Sequence, residues 1–256
     1  MNSIKKMMLS GALGCLISGM AYADGSSPQP VKPYWQDIQV VAVNKEKPRS
    51  SFMSYADRET ALTSRFEKSP YYSLLNGTWK FFFVDSYKDL PQNITDPSVN
   101  TSSWDDITVP GNWEVQGHGV AIYTNHGYEF KPKNPQPPLL PEANPVGVYR
   151  RDIEIPANWD NRDIYLHIGG AKSGLYVYLN GKEVGYSEDS KNPAEFLINK
   201  YLQPGKNVLT LKIFRWSTGS YLECQDFWRM SGIERDVFLW SQPKANIQDF
   251  RVVSTL

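Results

Sequence analysis

The sequence predicts an all-β fold, an antiparallel β-sandwich of jelly-roll type. Three observations predict it: short runs alternate apolar and polar residues at period two, turn residues separate them, and no stretch sustains a 3.6-residue apolar period. Composition agrees. Eight Trp, fifteen Tyr and eleven Phe among 256 residues suit pleated, half-buried surfaces, and most are expected in the core.

Residues 1–23 read as an export signal. Lys5 and Lys6 supply a positive start, Met7 to Met20 a short apolar stretch, and Ala21-Tyr22-Ala23 the small-residue cleavage pattern. The run falls short of the ~20 apolar residues of a membrane-spanning helix. The expected location is periplasmic or extracellular. A lipid anchor on Cys15 is the alternative, because Ala12-Leu13-Gly14 before it resembles a lipobox. Taking Lys5 and Lys6 from the 27 basic residues leaves 25 against 27 acidic ones, a balance that argues against a nucleic-acid partner. Cys224 would then be the sole cysteine, which excludes an intrachain disulfide.

Residues 24–68 read as an N-terminal arm with a short helix near Ala56–Thr63, and residues 69–243 as the sandwich. Its first strand is Gly77–Val84 (GTWKFFFV), whose aromatic run predicts burial on both faces. Trp104–Val109 is the next, ended by Pro110-Gly111. The stretch from Lys131 to Gly147 (KPKNPQPPLLPEANPVG) holds Pro132, Pro135, Pro137, Pro138, Pro141 and Pro145. Proline fixes φ and removes a ladder donor, so this is a stiff surface loop.

Beyond the loop, Val148–Ile155 places Tyr149, Ile153 and Ile155 on one face, interrupted by Arg151, and Asp163–Gly169 aligns Ile164, Leu166 and Ile168. Leu175–Leu179 and Lys182–Tyr186 flank Asn180-Gly181, a dipeptide that accepts the positive φ angles of a type I′ hairpin turn. After the turn Gln203–Lys206, the strand Asn207–Arg215 turns Leu209, Leu211 and Ile213 to the core, and Asp236–Trp240 follows. Ile247–Val253 reads as a last strand, and residues 244–256 as the first strand of a truncated immunoglobulin-like domain.

Standard cofactor chemistry finds no support. The chain has no Gly-rich phosphate loop opening a helix, no Cys pair for zinc, no His-x-x-x-His helix and no Gly-x-Ser-x-Gly elbow. His118, His126 and His167 sit on separate segments, with His167 expected to be structural. Two segments concentrate acids, amides and aromatics: Gly111–Asn125, ending in IYTN, and Arg215–Val237, which contains CQDFWRMSG. From the residues alone, Asp226 could cap a turn or pair with Arg229 or Arg235, and Asn125 could be an ordinary turn residue. Trp113, Trp216 and Trp228 read as core, and Cys224 as a small buried side chain.

The motifs VPGNWEVQGHG…IYTN, RWSTGSYLECQDFWRMSGIERDV, LLNGTWKFFF, NPVGVYRRDIEIP, YLNGKEVGYSEDSKNPAEF and GKNVLTLKIFRWS resemble the N-terminal sugar-binding domain of family 2 glycoside hydrolases. The likeness runs in order from about Trp35 to Leu256. GYSEDSKNPAEF and QDFWRMSGI point to the β-galactosidase branch rather than the β-glucuronidases and β-mannosidases that share the sandwich.

The resemblance implies a galactose-binding-like jelly roll. It implies that Asn125 and Asp226 contact the sugar, and that Asp226 helps hold a monovalent cation, sodium. It also implies that the two catalytic glutamates, with any magnesium, lie on a barrel outside these residues, in cis or in trans. The isolated chain is therefore expected to be inactive and the whole enzyme to hydrolyse terminal non-reducing β-D-galactosides with retention. A homo-oligomer of the full-length enzyme is a further implied partner. The alternative is a free-standing carbohydrate-binding or assembly module. Cys224 departs from the family pattern, which leads us to expect a second Asp there.

Overall fold

The computed structural model describes residues 32–130 and 134–255, so the export signal read over residues 1–23 and Pro132 lie outside the described residues. The described strands are β1 (Ala42–Val43), β2 (Tyr72–Leu74), β3 (Gly77–Val84), β4 (Asp105–Val109), β5 (Gly111–Asn112), β6 (Ile122–Thr124), β7 (Val146–Glu154) and β8 (Arg162–Ile168). They continue with β9 (Ala171–Lys172), β10 (Gly174–Leu179), β11 (Lys182–Ser187), β12 (Ala194–Leu197), β13 (Lys206–Phe214), β14 (Phe227–Arg229), β15 (Gly232–Ile233) and β16 (Val237–Pro243). A seven-stranded sheet has the order β1-β11-β10-β13-β7-β3-β4, and a four-stranded sheet the order β12-β8-β16-β2. Every pairing in them is antiparallel. The expected all-β sandwich is what forms.

Period-two alternation decides which residues meet. Leu209, Leu211 and Ile213 of β13 share one core with Leu166 and Ile168 of β8 and with Val237 and Leu239 of β16. Each such side chain contributes roughly 1.5–3 kcal/mol on full burial. The opposite face of the large sheet is also covered: Trp35 of the arm packs with Trp104, Val146, Val148, Tyr176, Tyr186 and Phe214. Met53 joins Tyr165, Phe238 and Trp240 in a third cluster. Gly147 lies where Phe81 and Trp113 press on the backbone; a Cβ there would stand 2.6 Å from Trp113 Cζ2.

Local expectations resolve in detail. The arm's helix, α1, spans Arg58–Leu62 and is capped by Asp57, whose side chain accepts from Thr60 N at 2.7 Å. Asn180 (φ 53°) and Gly181 (φ 77°) make the β10–β11 turn, as the dipeptide predicts. Arg151, which interrupts the apolar face of β7, turns its guanidinium over the Trp79 ring and donates to the carbonyls of Leu75 and Asn76.

Two expectations change. β3 is not buried on both faces: Trp79 and Phe81 are buried, whereas Lys80, paired with Asp106 of β4, and Phe82, against the Trp104 ring, are half-buried. Ile247–Val253 forms no ladder among the described residues; its side chains are exposed, and Phe250 rests on Phe52. An apolar alternating run is a strand only where a partner supplies the ladder.

Candidate functional site

Two loops separated by a hundred residues meet in the two-stranded ladder of β6 and β14. Its register pairs Thr124 with Phe227, Tyr123 with Trp228 and Ile122 with Arg229. Asn125 directly follows Thr124 and Asp226 directly precedes Phe227, so both stand at the same end of the ladder, one residue beyond its last pair. The structure therefore brings the two sequence-predicted residues together. Both are exposed. Asp226 Oδ1 accepts a hydrogen bond from the Tyr123 hydroxyl at 2.7 Å and pairs with neither Arg229 nor Arg235. Asn125 Oδ1 lies 2.7 Å from His126 Nδ1, and the Thr124 hydroxyl donates to the His126 carbonyl, so the turn after β6 is braced by its own side chains.

Beneath this edge lie buried charged residues, most of them hydrogen-bonded. Arg229, 1% exposed, donates to the Glu223 carbonyl at 2.8 Å; its Nε has no acceptor among the described residues and stands 3.9 Å from Glu129 Oε2. Arg215 donates to the carbonyls of Val120 and Arg229 and lies 3.6 Å from Glu114. Glu114 accepts from Ser231 N, Glu129 from Trp216 Nε1, and Glu223 from both the amide and the hydroxyl of Ser190. Two arginines thus tie residues 114–130 to residues 215–231, because a guanidinium presents several donors in a fixed fork. The ammonium of Lys172, a residue 3% exposed, has no hydrogen bond or ion pair among the described residues and lies 5.3 Å from the centre of the Phe227 ring. Burial lowers its pKa, opposed by the negative charges of Glu129 and Glu223.

The loop that carries Asp226 is anchored at its base. Glu188, 3% exposed, accepts from the Tyr186 hydroxyl (2.7 Å), the Thr218 hydroxyl (2.8 Å) and Gly219 N (2.6 Å). Asn144 is fully buried and makes a reciprocal pair with the Trp216 backbone at 2.8 and 3.1 Å. Burial raises the Glu188 pKa above its ordinary value, although these donors pull it down.

Other expectations divide. Trp113 and Trp216 are core, but Trp228 is 54% exposed and stands beside Tyr123, also 55% exposed. Cys224 is half-buried rather than buried, and burial raises its pKa. His167 is structural: it stacks on Phe238 at 4.1 Å and bonds Glu195 at 2.8 Å, which also receives Arg49 and Trp240 Nε1. Sequence reasoning missed Tyr123, Glu188 and Lys172. The pairing of β6 with β14 gives Tyr123 its partner, and a contact across 103 residues leaves no local periodic signal. The surface clefts along Glu154–Arg162 and around Lys45 and Tyr201 include neither Asn125 nor Asp226.

The class of this sandwich is shown by its likeness to known proteins. The chain is a member of glycosyl hydrolase family 2, whose sugar binding domain matches residues 72–243. It is 41% identical over 227 residues to the β-galactosidase of Priestia megaterium, covering 88% of this chain and 22% of that protein. It is 41% identical over 217 residues to the β-galactosidase of Actinobacillus pleuropneumoniae, covering 85% of this chain and 21% of the relative. The chain thus spans about a fifth of the length of the curated relatives it matches. Among solved structures, a β-glucuronidase of Bacteroides uniformis superposes with a TM-score of 0.51 at 23% identity, over 67% of this chain and 18% of that one. A β-glucuronidase of Bifidobacterium dentium in complex with coumarin-3-O-glucuronide gives 0.51 at 19% identity, over 67% and 30%. These two likenesses show the fold alone.

Proposed function

We propose that this chain is the sugar-binding front domain of an exported β-galactosidase that hydrolyses terminal non-reducing β-D-galactosides with retention. The observation that carries the reading is the shared ladder edge of Asn125 and Asp226 in a chain whose curated relatives are named β-galactosidases. An amide donates to and accepts from sugar hydroxyls, and a carboxylate accepts from two of them, so the pair fixes a ring's orientation. Tyr123 holds the Asp226 carboxylate in place through its hydroxyl. Retaining hydrolysis needs a pair of carboxyl groups ~5–5.5 Å apart. The reading assigns these to a barrel outside these residues, supplied in cis or in trans, so the isolated chain binds and does not cleave.

Asp226 suits sodium as one ligand among several. Hard cations take oxygen donors; one Asp226 oxygen receives Tyr123, and no group of three His, Cys, Asp or Glu side chains gathers among the described residues to favour a divalent ion. Sodium there would neutralise the carboxylate beside the sugar. Exposed Val115 (70%), Val120 (71%), Leu139 (60%) and Leu222 (84%) on these loops favour a covering protein surface, the assembly role kept as the second reading.

The test is a calorimetric titration of the purified chain with methyl β-D-galactopyranoside, in sodium chloride and in choline chloride. Dissociation constants of ~1 mM or weaker are expected. Asp226→Asn and Asn125→Ala should each weaken binding about ten-fold, and choline should weaken only the protein that keeps Asp226. Unchanged affinity in both variants would sink the reading. Export is checked by sequencing the mature N-terminus, expected at Asp24.

A further inference from the structure

The N-terminal arm crosses the face of the small sheet turned away from the core, and we infer that residues 44–52 form an acid-released strap, fastened at Arg49, that sets the direction in which the chain leaves the sandwich after β16. Antiparallel register puts Glu195 of β12, His167 of β8 and Phe238 of β16 abreast on that face, while Phe196 and Leu166 point inward. Arg49 donates to both Glu195 oxygens, at 3.0 and 3.2 Å, and its guanidinium lies 4.4 Å from the centre of the Trp240 ring. The same carboxylate receives His167 Nδ1 at 2.8 Å and Trp240 Nε1 at 3.1 Å, and the Glu195 carbonyl accepts from Glu46 N at 2.8 Å. Arg49 also stands 5.0 Å from the centre of the Phe52 ring, which meets Phe250 at 5.6 Å. Ser50 completes the fastening: its amide donates to Asp249 Oδ1 at 2.9 Å and its hydroxyl to the Phe250 carbonyl at 2.8 Å. Among the described residues these are the hydrogen bonds that tie residues 247–253 to the rest of the chain, since that segment has no ladder.

The charges around the strap favour the fastened state near neutrality. The side chains of Arg49 and Glu195 are largely buried, so solvent ions screen their attraction little. Burial raises the Glu195 pKa, but the His167 hydrogen bond and the Arg49 charge outweigh it and hold the group below its ordinary 4.5. The amides of Ser50 and Phe250 hold Asp249 below its ordinary 3.8. A depressed carboxylate gives its stabilisation above the ordinary value and loses it as pH falls through the folded one. Glu46 works in the opposite sense: burial, then the charge of Glu195, raises its pKa, so it favours the strap when protonated. Lys45, Lys47 and Asp189 border the same cleft and make no ion pair with Glu195 among the described residues. Asp163 bears on Glu46 and is itself paired with Lys244. Release is therefore set by Glu195. Once it takes a proton, the Arg49 guanidinium loses the counter-charge within hydrogen-bond reach and is driven toward water.

The strap is independent of the sugar contacts, and its test uses the full 256-residue chain. Hydrogen exchange is followed in peptides covering residues 44–52 and corrected for its intrinsic pH dependence. Protection there should fall about ten-fold as pH drops below about 4.5, while peptides from β13 stay protected. Glu195→Gln keeps the shape and removes the charge, so it should show that loss already at neutral pH and no further loss in acid. Arg49→Lys should keep the pH dependence with less protection, because an ammonium offers no fork. At neutral pH, chymotrypsin should cut after both Phe52 and Phe250 about ten-fold faster in Arg49→Gln than in the unmodified chain. Asp249→Ala should speed the cut after Phe250 alone. Three results overturn the proposal. Arm and β13 protection falling together would be global acid unfolding. Glu195→Gln keeping the acid loss of the unmodified chain would place the release on another group. Arg49→Gln freeing Phe52 while the cut after Phe250 keeps its rate would leave the arm and the exit segment uncoupled.

Discussion

Replacing Glu188 by alanine tests whether the site loop is held from its base. The carboxylate is 3% exposed and receives Tyr186, Thr218 and Gly219 at 2.7, 2.8 and 2.6 Å. Glu188→Ala leaves three donors without an acceptor, and each buried orphan costs roughly 1–3 kcal/mol. Relief of the carboxylate's own burial penalty offsets part of this, giving an expected net loss of about 2–5 kcal/mol at neutral pH. For a domain of this size each kcal/mol lowers Tm by ~2–4 °C, so a fall of about 5–15 °C is expected in a thermal melt.

The pH dependence adds a second arm. Burial, the leading cause, raises the Glu188 pKa above its ordinary 4.5. A group whose folded pKa is raised gives its full stabilisation below the unfolded value and loses it as pH rises through the folded one. The stability gap between the unmodified chain and Glu188→Ala should therefore be widest below pH 4.5 and narrow as pH climbs past the folded pKa. A loss under about 1 kcal/mol, or a gap that widens with pH, would refute the reasoning.

Two further outcomes follow from the packing. Arg150, 5% exposed, donates to the carbonyls of Ile94, Asp96 and Val99 at 2.8, 2.9 and 3.1 Å, so Arg150→Met should cost about 2–4 kcal/mol in urea unfolding. Gly147→Ala would press a methyl against Trp113 at 2.6 Å and Phe81 at 2.7 Å, and about 1–3 kcal/mol of destabilisation is expected in the same assay.

The strands were legible because their signals are local. Leu209, Leu211 and Ile213 announce an inward face within five residues, and Asn180-Gly181 announces its turn within two, because period and φ preference act between neighbours. Family motifs likewise singled out Asn125 and Asp226 without any coordinates. Ile247–Val253 shows the limit of local reading: its alternation is that of a strand, but a ladder requires a partner, and none pairs with it among the described residues.

What sequence alone established was therefore the β class, most strand positions, the core faces of β8 and β13, and two candidate contacts. Tertiary structure decided their relations. It paired β6 with β14, turned Trp228 outward against the expectation of burial, gave Asp226 to Tyr123 rather than to an arginine, and set Glu188 under the loop. These depend on which of many polar groups becomes the neighbour of another across 30 to 100 residues. Antiparallel register fixes that choice only when the sheets close, because a slip of one residue sends each side chain to the opposite face.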